Sequence, residues 1–145
     1  MKQQTEIKRK EKGAIMVETA MILPLLVLLL TGAFDLGLVA HRHQVLQNAV
    51  REAARYSAQH RIGVHNVAVS TIQDFVVNYC AAQNMTVANS DVTVSQDHSY
   101  QFGGTPVTTS RIAVTYSHSI ITPGMSTLLG SPINLSAESV FRNLF

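Results

Sequence analysis

The chain predicts an α+β fold in which a long N-terminal transmembrane helix runs into a small domain, where a second helix packs on a three-stranded antiparallel sheet. Three observations predict it. From Ala14 to Ala40 the only formally charged side chains are Glu18 and Asp35. Apolar residues then recur at helical spacings of three and four, first along 45–58 and again along 64–80. After Asn84 the apolar period changes to two, the signature of half-buried strands.

The apolar run comes first. The stretch from Ala14 to Phe34 is about 30 Å of helix at about 1.5 Å per residue, which matches a hydrocarbon core. Asp35 then falls at the outer interface, where an acid costs little and marks the end of the span; a part in subunit pairing is a second reading. Pro24 removes one backbone donor and can kink the helix, which membrane spans tolerate. Gly32 and Gly37 are small enough for close helix approach, although they do not share the small-xxx-small spacing. Lys2, Lys8, Arg9, Lys10 and Lys12 crowd the N-terminal flank, whereas Arg42 is the only Lys or Arg soon after the span. The positive-inside rule therefore leaves the N-terminus cytoplasmic and exports the domain. Removal as a secretory signal peptide is disfavoured, because the run is longer than an h-region and Thr31-Gly32-Ala33 is a poor cleavage site, followed by apolar Phe34.

The helix does not end with the span. Val45, Leu46, Ala49, Val50, Ala53, Ala54 and Ala58 continue a narrow apolar stripe, with Gln44, Gln47, Arg51, Glu52 and Arg55 on the other face. Ile62-Gly63 supplies a stop, so one continuous helix of about 45 residues, on the order of 65 Å, is expected. Its stripe should lie on the domain's own sheet. A second helix is expected from about His65 to Gln83, with Val67, Thr71, Ile72, Phe75, Val76 and Cys80 on one face. Val87 and Val92-Thr93-Val94 suggest a first strand, Gly103-Gly104-Thr105-Pro106 a turn, and Val107 to Ile120 a second strand through Ile112, Val114, Tyr116 and His118. Thr122-Pro123-Gly124 ends it, and a last strand follows Pro132, from Ile133 to about Arg142. Strand order is left open by these patterns.

Composition restricts the chemistry. A formal charge of +2, with its basic excess in the first 13 residues, gives no footing for nucleic acid. Cys80 is the only cysteine, so no intrachain disulfide or structural zinc centre can form, and its apolar setting reads as core. Of the 6 histidines, His41 and His43 lie two apart on a helix and point to different faces; none of the pairs has metal-site spacing on a helix. No nucleophile elbow, phosphate cradle or paired carboxylates stand out, and the chain reads as non-enzymatic, without catalytic residues, metal or cofactor.

Glu18 is the exception to this plainness. A carboxylate in the apolar stem costs about 2–3 kcal/mol on insertion scales, so an acid kept there is a functional candidate that needs a cationic partner. Cleavage between Gly13 and Ala14 would create one, a free amine four residues away and one helical turn along, on the same subunit or a neighbour. The stretch Lys8-Arg9-Lys10-Glu11-Lys12-Gly13 followed by Ala14-Ile15-Met16-Val17-Glu18 resembles the processing site of type IV pilin-like proteins. Together with Met21-Ile22-Leu23-Pro24-Leu25-Leu26, Gly32, Phe34, Gly37 and the helix from Gln44 to Tyr56, it looks like the TadE-like pseudopilins, minor subunits of the bacterial tight-adherence (Tad/Flp) pilus machinery.

That resemblance covers roughly the first third of the chain. It implies a basic cytoplasmic leader over 1–13, a transmembrane segment over 14–40 and an exported domain over 41–145. It further implies a prepilin peptidase acting at Gly13 and Ala14 and Glu18 as the assembly acid; Gly32, Asp35 and Gly37 are candidate helix-packing positions by their size and place on the span. Membrane lipid, other pilin or pseudopilin subunits, and the inner-membrane assembly platform are the implied partners. The residues alone also admit an uncleaved single-pass protein whose exported domain binds a partner or regulates the envelope.

Overall fold

The computed structural model describes residues 2–59, 67–122, 126–127 and 130–143, with the side chains of 2–12 and 14 left aside. Helix α1 spans Lys2–Gln59, α2 spans Val69–Ala81, and the strands are β1 (Val92–Phe102), β2 (Thr105–His118) and β3 (Ile133–Arg142). The expected stop at Ile62-Gly63 and the expected start of the second helix at His65 fall outside the described residues; α2 itself begins at Val69, with Val67 half-buried ahead of it.

Helix α1 is longer than expected at its N-terminal end. It runs 58 residues rather than the 45 or so counted from Ala14, so the basic leader is not set apart by its backbone. Lys, Arg, Glu and Gln are strong helix formers, and Gly13 alone weakens the run, by about 1 kcal/mol relative to Ala. The apolar half is bare: only 11% of its most apolar stretch is buried within the chain, and Met16, Met21, Leu25, Leu30 and Phe34 stand exposed. That bareness separates α1 from the core helix of a soluble domain and makes it a candidate membrane anchor by length and composition. The threonine hydroxyls of this apolar half are satisfied inside the helix, Thr19 Oγ1 donating to Ile15 O at 2.8 Å and Thr31 Oγ1 to Val27 O at 3.0 Å. Apolar surroundings demand such internal partners.

The C-terminal half of α1 carries the domain. Leu46, Ala49, Val50, Ala53 and Ala54 are fully buried, and Val45 and Ala58 nearly so. All of these but Ala58 share one core cluster with Ile72, Val76 and Cys80 of α2 and with Ile112, Val114, Leu135 and Ala137 of the sheet. Alanine at four stripe positions lets the helix backbone approach the strands closely. Helix α2 lies beside α1, where the rings of Tyr56 and Phe75 stack with centroids 5.8 Å apart. Asn84, at φ 57°, ends the turn, and the Met85 N–H returns to Cys80 O at 3.0 Å. Burial raises the pKa of the Cys80 thiol, which keeps it protonated and inert.

The sheet has the order β1-β2-β3, antiparallel throughout. The turn between the first two strands is tighter than expected: Gly103 and Gly104, at φ 57° and 82°, form a two-residue hairpin turn, and Thr105 and Pro106 already pair with Phe102 and Gln101. Positive φ at both positions is what such hairpins require, and glycine supplies it without strain. Val87 is buried but precedes the strand, which starts at Val92. A bulge between Ser95 and His98 places one extra residue in β1. Ahead of it Val92 and Val94 face the helices opposite Val114 and Ile112; beyond it Tyr100 pairs with Val107 on the opposite face of the sheet. Tyr100 and Phe102 therefore stand exposed. The bulge is tied down by Gln96 Nε2 donating to Val67 O at 2.8 Å and by Asn143 Nδ2 donating to Gln96 O at 2.9 Å.

Candidate functional site

Two places on α1 hold the residues singled out above, one at each end of the apolar run. At the first, Gly13 is exposed, and a side chain added there would meet nothing within 4 Å. Glu18 is exposed too. Positions 14 and 18 share a helix face by their spacing. The Gly13–Ala14 peptide lies inside continuous helix. A protease that binds extended backbone must open α1 there, and glycine is where opening costs least.

At the second place the acid expected at the outer interface is covered by the chain itself. Asp35 is buried, 4% exposed, and its Oδ2 accepts the Thr122 N–H at 2.8 Å. The connection leaving β2 is thereby tied to the outer end of the apolar run. Gly32, one turn earlier, is buried, whereas Gly37 is exposed with open space beside it, so the two glycines lie in different surroundings.

Two turns farther along α1, Arg42 reaches the end of β2. Its guanidinium sits 5.8 Å from the centre of the Tyr116 ring, and Nη1 donates to the Tyr116 hydroxyl at 3.4 Å. The same Nη1 contacts Nδ1 of His118. Because a guanidinium only donates, Nδ1 is the acceptor and the neutral ring carries its proton on Nε2. His118 is 1% exposed, and Nε2 has no hydrogen-bond partner among the described residues. The alternation of β2 marks His118 as inward-facing, but its pairing with Arg42 across 76 positions leaves no local trace in the sequence.

Burial, then the Arg42 charge, hold His118 below the ordinary 6.5, with Asp35 opposing them. A folded-state pKa below the unfolded value means that the unfolded chain binds the proton more readily. His118 therefore contributes stability that is fully present above about pH 6.5 and is lost as the pH falls through the lower folded value. Thermal melts of the detergent-solubilised full chain are expected to show falling stability from about pH 7 towards about pH 5, with the slope reduced in His118→Gln. An unchanged slope would take His118 out of this account.

Elsewhere the sheet surface carries only ordinary polarity. Arg111 Nε and Nη2 donate to Glu138 Oε1 and Oε2 at 2.7 and 2.8 Å, a two-pronged pair on the open face, where water screens it. Ser57 Oγ donates to Ser110 Oγ at 3.1 Å, and Ser110 Oγ in turn to Asn143 Oδ1 at 2.7 Å, joining α1, β2 and the residue after β3. Among the described residues, no three His, Cys, Asp or Glu side chains gather as a metal site would require.

The TadE-like protein family model matches residues 13–55, the part of α1 that runs from Gly13 through the apolar stem to Arg55. Helix α2 and the sheet lie outside that match. Comparison with curated proteins and with solved structures gave no match.

Proposed function

We propose that this chain is a TadE-like, pilin-type subunit or assembly factor of a bacterial tight-adherence pilus. The observation that carries this reading is the coincidence of the family match with one physical unit. It begins at Gly13, covers the bare apolar stem with Glu18, and ends in the alanine-rich stripe that seats the domain. In this reading 1–13 is a cytoplasmic leader, 14–40 holds the chain in the inner membrane, and 41–145 is exported.

Assembly exchanges the lipid contacts of the stem for contacts with neighbouring stems. Prepilin peptidase cuts between Gly13 and Ala14, and the new amine of Ala14 meets a Glu18 carboxylate on the same or an adjacent subunit. Gly37, exposed with open space beside it, gives the bundle room to close, whereas Gly32 is already covered within the chain. Lipid, sister subunits, the peptidase and the assembly platform are the partners, and no catalytic step is assigned to the chain itself.

Intact-mass analysis of the membrane-extracted protein tests the processing. The expected product begins at Ala14. A chain that still carries its leader, from Met1 or Lys2, overturns the cleavage and favours an uncleaved single-pass protein whose exported domain is a binding or regulatory module.

A further inference from the structure

We propose that the connection leaving β2, at Ile121, is a second membrane contact that rests on the lipid surface beside the outer end of the stem. The inference depends on the reading of α1 as a membrane span. Its first support is height. Asp35 follows about 20 residues of apolar helix, roughly the 30 Å of a hydrocarbon core, and so lies at the lipid–water boundary. The 2.8 Å hydrogen bond from the Thr122 N–H to Asp35 Oδ2 fixes the adjoining residue at that same level.

The second support is what stands there. Ile121 is 69% exposed, and Phe34 and Leu36, which flank Asp35 in the sequence of α1, are 66% and 53% exposed. Isoleucine left in water at the edge of an apolar stem forgoes burial that the headgroup–acyl boundary, about 5–10 Å deep, supplies directly. The third support is charge. From Ile112 through Ala137 the chain has no Asp, Glu, Lys or Arg, so nothing ionised is dragged towards lipid as this end of the domain settles. Arg42, about 10 Å farther along the helix, has its guanidinium held against Tyr116 and His118.

Continuity with the exposed stem argues for lipid rather than a separate protein partner. The Thr122–Asp35 hydrogen bond holds Ile121 at the outer end of the same exposed apolar stem, so the bilayer that covers the stem reaches it. Two points of contact would hold the exported domain at a set tilt instead of letting it swing about a single helix.

The test uses the full chain in nanodiscs of phosphatidylethanolamine and phosphatidylglycerol carrying nitroxide lipids, shallow or deep. An environment-sensitive fluorophore is attached at Ile121→Cys, at Leu30→Cys in the stem and at Thr115→Cys on the open sheet face. Buried Cys80 stays unlabelled under native conditions, and the parent chain gives its background. The expected result is quenching at 121 by the shallow nitroxide several-fold above that at 115, and quenching at 30 chiefly by the deep one. Quenching at 121 no greater than at 115, with 30 still quenched, overturns the contact and leaves the span intact. A blue-shifted but unquenched label at 121 means that protein covers Ile121, which also overturns it. Absence of quenching at 30 overturns the span and the contact together.

Discussion

Leu46→Ala is expected to destabilise the domain by about 2–5 kcal/mol, the range for emptying a well-packed leucine site. Leu46 is fully buried on the side of α1 that meets the core, with Val45, Ala49 and Val50 around it in the same cluster. The alanines of this stripe have no spare side chain to swing into a void, and the strands opposite are held in register by their ladders. The cavity therefore stays open. For so small a domain, that loss is a large share of the 5–15 kcal/mol typical of native proteins. Cys80 supplies the readout, being the single thiol, fully buried and reached by reagent only when the core opens. Its alkylation rate under native conditions is expected to rise by about thirtyfold to a few thousandfold, at about tenfold per 1.4 kcal/mol. Leu25→Ala, in the bare stem, is the control. Leu25 is 59% exposed within the chain, and lipid or detergent fills the space it leaves, so the Cys80 rate should stay at the parent value. Equal rates in both variants would mean that the stripe is not the seat of the domain.

The same stripe shows what the sequence could disclose. Residues 45–58 repeat at three and four because one helix face meets a flat surface, and every apolar position so marked is buried. The strands from 107 and 133 were equally legible, since alternation follows directly from the pleat. Features that depend on distant partners were not. Asp35 looks like the polar end of a span because its partner is a backbone N–H 87 positions away, and a backbone donor carries no residue-type signature. The Arg42 contact to Nδ1 of His118, whose Nε2 has no hydrogen-bond partner among the described residues, is again a product of packing. The bulge in β1 is hidden for a related reason. It inverts the facing of every later residue in the strand, so Tyr100 and Phe102, which share even numbering with the inward Val92 and Val94, end on the open face. At the hairpin, Gly103-Gly104 pointed to the turn, but Pro106 drew the expected boundary too far along β2. As an edge of the hairpin pairing opposite Gln101, proline loses little by lacking its N–H.

Glu18→Ala is expected to leave membrane insertion intact and to remove the protein from the sheared surface fraction. Insertion should if anything become easier, because a carboxylate in the apolar stem costs about 2–3 kcal/mol that alanine does not. The exported fold should be untouched, since Glu18 is exposed on α1 some 27 positions before the first stripe residue, Val45. Assembly is where the acid counts. When stems leave lipid and pack together, the amine of a processed Ala14 is carried into the bundle, and without Glu18 it is buried unpaired. Removing one member of a buried ion pair costs about 3–5 kcal/mol, enough to lower incorporation by two orders of magnitude or more at about 1.4 kcal/mol per tenfold. Glu18→Gln separates charge from shape: it keeps the length and the hydrogen-bonding oxygen but lacks the charge, and should be only partly better than alanine. Immunoblots of washed membranes against sheared pili measure all three chains at once. Parent-like amounts of Glu18→Ala in the sheared fraction would remove the carboxylate from the assembly step while leaving the stem as an anchor.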